Sequence, residues 1–125
     1  DISTFITNYR EAFGAHAPLP LLFRYDDTPI AETEKTNGCF FKRLHDVRQG
    51  QLASLNADNI GCGGGKFYTG FAPMNAYIPD FVSQKEHYKQ TPEMVTGYIR
   101  DLDVRMTDKA FLNFMRLDQA PSFDH

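Results

Sequence analysis

A run of glycines near the middle of the chain, Gly61-Cys62-Gly63-Gly64-Gly65-Lys66, constrains the fold more than any other feature. It holds four of the nine glycines in the 125-residue sequence and one of the two cysteines. Successive glycines cost backbone entropy on folding and supply no side chain for packing. Such segments are used where a turn needs a positive φ angle or where a ligand approaches main-chain N–H groups. We therefore expect an open turn between Ile60 and Phe67 that leaves its backbone accessible to a ligand.

Two known glycine motifs do not fit this run. A phosphate-binding loop needs a glycine where Ile60 stands and a Ser or Thr where Phe67 stands. The dinucleotide fingerprint G-x-G-x-x-G starts at Gly61 and Gly63 but meets Lys66 in place of its third glycine. The run still supplies several backbone N–H groups that could surround an anion. The alternative is a tight turn that binds no ligand. The ligand-binding prediction covers Gly61, Cys62, Gly63, Gly64, Gly65, Lys66 and Cys39.

The two cysteines offer a second chemistry. N–H groups of the glycine turn would stabilise a thiolate at Cys62, and the start of a predicted helix would do so at Cys39. Cys62 is therefore the candidate catalytic nucleophile of a thiol enzyme or redox protein, with His45 or His87 as its base. The alternative is that both thiols are small, inert, buried side chains. The sequence has no Cys-x-x-Cys or His-x-x-x-His pattern, so we predict no metal site. The sequence leaves the identity of a cofactor open.

Composition indicates one globular domain and excludes several classes of protein. The chain is 42% hydrophobic and 23% charged, and its 11 Phe and 6 Tyr predict a core rich in rings. A net charge of −3 without a long basic run argues against nucleic acid as a partner. No stretch approaches the ~20 apolar residues of a membrane span, and the start lacks the features of a signal peptide. Two cysteines are too few for a disulfide framework, so we expect a cytoplasmic protein.

Apolar periodicity predicts a single α+β domain, residues 1–125, with three or four helices packed on a small mixed sheet. Helices are predicted at residues 3–14, 39–49, 80–88 and 92–102. Strands are predicted at residues 21–25, 51–55 and 110–117. The last strand is apolar on both faces, which is typical of an internal strand covered on both sides. The polar segment 26–37 is predicted to form turns.

The stretch between residues 37 and 99 carries a characteristic series of short sequence features. They are a cysteine that opens a helix, a glycine before a short strand, a Cys-Gly-Gly run and three later elements: Cys39, Gly50, Cys62-Gly63-Gly64, Gly70, Ile78-Pro79-Asp80-Phe81 and Thr91-Pro92-Glu93-Met94. With them the stretch resembles a family catalogued as domain of unknown function 169, found in bacteria and archaea. Members of that family are usually near twice this length, so the resemblance implies that the chain is the N-terminal part of a longer domain. The resemblance marks Cys39, Cys62, Gly63 and Gly64, and it implies no established activity.

Three functions stay open from the sequence. In the first, the domain binds a small, anionic or cofactor-like ligand over Gly61–Lys66, with Phe67, Tyr68 and Phe71 as an apolar wall. In the second, it is a thiol-dependent enzyme or redox protein that uses Cys62, with or without Cys39. In the third, it is a non-catalytic domain that forms a homo-oligomer by covering exposed apolar surface.

Overall fold

The computed structural model describes residues 1–85 and 91–124. In this part of the chain the helices are α1 (Ile2–Phe13), α2 (Phe40–Arg48), α3 (Gly63–Tyr68), α4 (Tyr77–Asp80) and α5 (Pro92–Asp101). The strands are β1 (Leu21–Asp26), β2 (Ala53–Leu55) and β3 (Phe111–Arg116). A π-helical turn, Phe81–Lys85, follows α4, and a 3₁₀ turn, Leu117–Gln119, follows β3.

The three strands form one antiparallel sheet in the order β1-β3-β2. β3 lies in the centre, where Phe114 is opposite Phe23 on one side and Ala53 on the other. Its inner residues are buried, as expected for a strand covered on both faces. The α+β class is therefore confirmed. The sheet is antiparallel throughout rather than mixed, because the last strand runs between the two earlier strands in the opposite direction.

The first hydrophobic core lies between one face of the sheet and α2. Alternate strand residues point to the same face of a sheet, and here those residues pack against α2 and the segment after β2. The buried members are Val47, Ala53, Leu55, Ile60, Leu112 and Phe114. Burial of a large apolar side chain stabilises a fold by roughly 1.5–3 kcal/mol, so this cluster is a main source of stability.

The opposite face of the sheet is polar at its centre. Ser54 and Asn113 lie opposite each other on β2 and β3, and both are buried. The connection from β1 to α2 covers them: Asn113 Nδ2 donates to the carbonyl oxygen of Thr28 at 2.9 Å. Buried polar side chains need such partners. The segment that the sequence predicted only as turns is thus a layer packed on the sheet.

A second core joins the three later helices, and its buried members are Phe67, Ile78, Val95 and Ile99. α5 begins as predicted, with Thr91 Oγ1 accepting a hydrogen bond from Met94 N at 3.2 Å. α3 is additional to the predicted helices, and α4 begins before the predicted helix 80–88, because helices of six and four residues are too short for a helical period to show. The predicted helix 80–88 corresponds to the end of α4 and the π-helical turn as far as Lys85, and its remainder lies outside the described residues.

Helix α1 is capped but only partly covered. The Asp1 carboxylate accepts a hydrogen bond from Thr4 N at 2.8 Å, and no residue of the helix is fully buried. Its aromatic side chains contact the C-terminal segment, where the Phe5 and Phe123 rings are 5.8 Å apart. α1 therefore adds little to either core and does not position the sites described next.

Candidate functional site

The glycine run begins a helix instead of forming an open turn. Cys62 is the N-cap of α3, with φ −107° and ψ 141°, and its Sγ accepts a hydrogen bond from Gly65 N at 3.2 Å. No residue of the run has a positive φ angle, and among the described glycines that conformation occurs at Gly14, Gly50 and Gly70. The expected turn conformation is therefore wrong. The helix forms because the Cys62 sulfur and carbonyl group accept the N–H groups of its first turn.

Two glycines of the run permit close packing. A Cβ atom on Gly61 would overlap the carbonyl oxygen of Thr36. A Cβ atom on Gly65 would lie 2.9 Å from Cys62 Sγ and 3.1 Å from Phe40 Cβ. The segments that lead into α2 and α3 therefore pass directly against each other, an approach that only glycine allows. At these two positions the bare backbone contacts the chain itself.

The remaining glycines of the run face outward. A Cβ atom on Gly64 would meet nothing within 4 Å, and Gly63 is exposed. Within the described residues, the N–H groups of Gly63 and Gly64 have no acceptor, as is usual for the first residues of a helix. The crevice beside Gly61 measures about 10 Å³, the space of about one water molecule. Anion binding by Gly63, Gly64 and Lys66 stays a prediction.

The three rings expected to form an apolar wall are divided between two cores. Phe67 is buried in the second core, and its ring lies 5.1 Å from that of Tyr68, which is 52% exposed. Phe71 lies beyond the end of α3 and packs against the first core, with its ring 6.1 Å from that of Tyr25. A single wall of all three rings is therefore not formed.

Both cysteines occupy helix N-caps. Cys39 caps α2 with an exposed side chain that makes no capping hydrogen bond, and Cys62 caps α3 and is half-buried. Gly65 lies against both Cys62 Sγ and Phe40, the first residue of α2. The starts of α2 and α3 are therefore side by side, with a cysteine at each. Both thiols are free.

His45, one of the two histidines expected to act as a base, is not placed beside Cys62. His45 is exposed and lies in the last turn of α2, whereas Cys62 adjoins the first turn of that helix. A base must come within hydrogen-bond distance of its nucleophile, so α2 holds His45 away from that role. His87 lies outside the described residues.

A much larger cavity lies on the polar face of the sheet. It runs between the β1–α2 connection and the segment that follows β2, opens to solvent and has a volume of about 730 Å³. Ligand sites in proteins typically have volumes of about 300–1,000 Å³. We call it the loop groove, and its lining residues are Pro29, Ile30, Ala31, Glu32, Thr33, Lys35, Ser54, Asn56, Asp58, Asn59 and Phe111. The sequence did not predict this cavity.

Ser54 attaches the connection to the floor of the loop groove. The residue is only 1% exposed, and its Oγ accepts hydrogen bonds from Ile30 N at 2.8 Å and Ala31 N at 3.1 Å. Its own N–H donates to Thr33 Oγ1 at 2.8 Å. Each such bond contributes about 0.5–1.5 kcal/mol net. One wall of the loop groove is thus held in place without a ligand.

Two asparagines hold the opposite wall. Asn59 Oδ1 accepts from Asn56 N at 2.9 Å, and Asn59 Nδ2 donates to the carbonyl oxygens of Ser54 at 2.8 Å and Thr33 at 3.3 Å. Asn56 Oδ1 accepts in turn from Asp58 N at 3.0 Å. Bonds from Asn side chains to nearby backbone fix the shape of a turn. The Asn-Ala-Asp-Asn composition of residues 56–59 signals this turn, but it does not reveal the link to Thr33.

Asn113 carries an unpaired acceptor beneath the connection. The residue is fully buried, and its Oδ1 has no hydrogen-bond partner within the described part of the chain. Its neighbours on this face include Phe111 and Ser54, which both line the loop groove. A buried unpaired carbonyl costs about 1–3 kcal/mol. Packing alone does not account for a polar side chain at this position.

Charged side chains stand at the rim of the loop groove. Glu32, Asp58 and Lys35 are exposed and line it, so carboxylates outnumber ammonium groups. A cleft with an excess of one charge concentrates ligands of the opposite charge. The rim therefore favours a ligand that carries a positive group.

Acidic side chains also fix the start of the β1–α2 connection. Backbone N–H groups of Thr28 and Asp27 donate to Asp26 Oδ1 at 3.2 Å and 2.7 Å, and these bonds hold the pKa of the Asp26 carboxyl below its usual value. Asp27 Oδ1 accepts from Ala110 N at 3.1 Å. The connection is therefore tied to the segment that enters β3.

No family model, curated protein or solved structure matches this chain. The resemblance to domain of unknown function 169 therefore stays a prediction. Across the described ranges, no three His, Cys, Asp or Glu side chains form a group that could hold a metal ion. None of the helices described is long and apolar enough to cross a bilayer.

Proposed function

We propose that this domain binds a small ligand with a cationic group in the loop groove. The observation that carries the proposal is the cavity itself, about 730 Å³ in volume and lined by exposed carboxylates of Glu32 and Asp58. Its walls are attached to each other through Ser54 and Asn59. Walls that are already ordered lower the entropic cost of binding. The sequence predicted a small ligand as well, but placed it over Gly61–Lys66.

The hydrogen-bonding groups of the loop groove indicate what else the ligand carries. The hydroxyl group of Thr33 accepts a hydrogen bond from Ser54 N and keeps its own proton available. Asn56 Nδ2 donates to none of the described residues. These two groups are donors, so they suit a hydroxyl or carbonyl oxygen on the ligand. An amine that also bears such an oxygen could interact with the carboxylates at the rim and with these donors inside the loop groove.

Calorimetric titration with three four-carbon probes tests the proposal. Butane-1,4-diamine, butane-1,4-diol and succinate share a skeleton and differ in charge, and we expect the diamine to bind most tightly. Glu32→Gln and Asp58→Asn should each weaken diamine binding by up to about fivefold, since an exposed ion pair contributes about 0.2–1 kcal/mol. Asp101→Asn, which makes the same charge change on exposed α5, should leave it unchanged. Tighter binding of succinate, or equal effects of all three variants, would contradict the proposal.

Thiol chemistry is a second candidate function, and the paired N-caps support it. Each cysteine directly precedes the first turn of a helix, and the Cys62 sulfur accepts a hydrogen bond from Gly65 N at 3.2 Å. Alkylation of the Cys39→Ser and Cys62→Ser variants with iodoacetamide at neutral pH separates the two thiols. A rate above that of the urea-unfolded chain for either thiol supports the candidate, and rates below it for both exclude it.

We also propose that the protein works in the cytoplasm and does not bind nucleic acid. Free thiols at Cys39 and Cys62 support a reducing compartment, and a net charge of −3 opposes binding to phosphates. Cell fractionation, together with a filter-binding assay at low salt, tests both statements. Recovery of the protein outside the cytoplasm, or retention of DNA or RNA on the filter, would overturn them.

A further inference from the structure

The folded chain exposes more surface than a monomer of its mass normally does. Its accessible surface is 8304 Å² for 14.3 kDa, whereas monomeric proteins of this mass expose about 6,800 Å². The difference, about 1,500 Å², exceeds the roughly 800 Å² that each partner buries in a stable interface. This excess belongs to the chain as a whole, and it is larger than one side of a stable dimer interface.

The two edges of the sheet differ in how their backbone groups are used. At the β2 edge, Ser54 N donates to Thr33 Oγ1 and Ser54 O accepts from Asn59 Nδ2, so side chains cover the edge. β1 pairs with β3 on one side, and within the described residues nothing hydrogen-bonds to its other side. An uncovered edge of this length is a template for another strand.

The side chains of β1 also favour pairing at this edge. Phe23, in the middle of the strand, is 57% exposed, and its ring lies 5.8 Å from that of buried Phe114. Phe114 in turn lies 6.1 Å from Phe40, so the exposed ring continues the aromatic side of the first core. A second strand laid beside β1 would cover Phe23 and extend this core across the new edge.

We propose that two copies of this chain pair through β1, antiparallel about a twofold axis, and join their three-stranded sheets into one. Twofold symmetry normal to the sheet places one residue of β1 opposite its own copy. Arg24 at that position would bring two like charges face to face, which destabilises a strand pair. Phe23 at that position brings two rings together and sets Leu21 opposite Tyr25 of the second copy. The dimer therefore takes the register centred on Phe23.

Sedimentation equilibrium over micromolar to submillimolar concentrations tests the interface. The wild-type chain should double its mass from 14.3 kDa, and Phe23→Lys should weaken the dimer at least about tenfold, because like charges then meet across the pair. Tyr98→Lys is the matched control, since Tyr98 is an aromatic residue of α5 with 53% exposure. This variant should associate like the wild type. Far-UV circular dichroism establishes that both variants are folded.

Oxidative cross-linking tests the register and does not depend on the Phe23→Lys variant folding. In a Cys39→Ser background, Phe23→Cys should form a disulfide-linked dimer with copper phenanthroline. Residues directly opposite in an antiparallel pair have Cα atoms about 4.5–5.5 Å apart, within the range that a disulfide spans. Arg24→Cys should not cross-link, because Arg24 lies opposite Leu22 of the second copy in this register.

Three results would overturn the proposal. A wild-type chain that keeps the mass of one copy at all concentrations would leave the β1 edge to a different partner. A dimer that survives Phe23→Lys but is lost in Tyr98→Lys would place the interface on α5. Cross-linking of Arg24→Cys in preference to Phe23→Cys would exclude the register centred on Phe23.

Discussion

The glycine run and the loop groove are neighbours along the chain. In the glycine run two backbone segments pack directly against each other, whereas in the loop groove they enclose a cavity. At Gly61 and Gly65 the absence of side chains lets two segments touch, and no cavity of ligand size is formed between them. In the loop groove, polar side chains such as Ser54 and Asn59 hold segments in place around a cavity of about 730 Å³. A run of glycines indicates that something approaches the backbone closely. In this protein the group that approaches the glycine backbone is another segment of the same chain.

We expect the largest change in stability from a substitution that disrupts the close packing at the glycine run. Gly61→Ala should lower the free energy of unfolding by about 3 kcal/mol, the upper end of the range for overpacking, because its methyl group overlaps the Thr36 carbonyl oxygen. Gly64→Ala is the matched control. A methyl group there meets open space within a helix, so it should raise stability by up to about 1 kcal/mol. Urea unfolding measures both, and equal stability of the two variants would contradict this role for Gly61.

The second-largest change is expected when the hydrogen bonds between the walls of the loop groove are removed. Asn59→Ala should cost about 2 kcal/mol, because it leaves the carbonyl oxygen of Ser54 and the N–H of Asn56 without their partners. Asn8→Ala, on the exposed surface of α1, should change stability by less than about 0.5 kcal/mol. Hydrogen exchange should also quicken at Ile30 and Ala31 in the Asn59 variant alone. Unchanged exchange at these amides would mean that Asn59 does not hold the walls together.

Much of the fold could be predicted from local patterns, whereas the loop groove could not. The apolar residues on both faces of residues 110–117 predict an internal strand, which β3 is, and Thr91 is predicted to cap a helix because of its side chain and the proline after it. The loop groove depends on bonds such as Ile30 to Ser54 and Thr33 to Asn59. These residues are separated by more than twenty positions, and no periodicity reports such a pairing.

A smaller change in stability is expected at the hydrogen bond that joins β1 to the end of α3. Tyr25 Oη donates to the Thr69 carbonyl oxygen at 2.7 Å and so ties β1 to the end of α3. Tyr25→Phe should cost about 1 kcal/mol for this bond. Burial raises the pKa of Tyr25 above 10.0, so the neutral form is favoured in the folded state and stability is lost as pH rises above that value. The variant should lose less stability than the wild type between neutral and alkaline pH, and an identical loss would contradict this assignment.

The smallest effect concerns the start of the connection over the loop groove. Hydrogen bonds from the Thr28 and Asp27 N–H groups hold the pKa of Asp26 below 3.8, so its contribution is present above that value and lost as pH falls through the lowered pKa. In an NMR titration the amide signals of Thr28 and Asp27 should therefore shift only below the normal range for aspartate. A shift of these amide signals within the normal range for aspartate would show that the bonds to Asp26 are not maintained.

Amide chemical-shift mapping with butane-1,4-diamine and, separately, succinate distinguishes a ligand site in the loop groove from one at the glycine run. We expect the diamine to shift the signals of Ile30, Ala31 and Ser54 in the loop groove and to leave those of Gly63 and Gly64 unchanged. Shifts at Gly63 and Gly64 on addition of succinate, with the loop groove unaffected by either probe, would contradict this expectation and return the binding site to the glycine run.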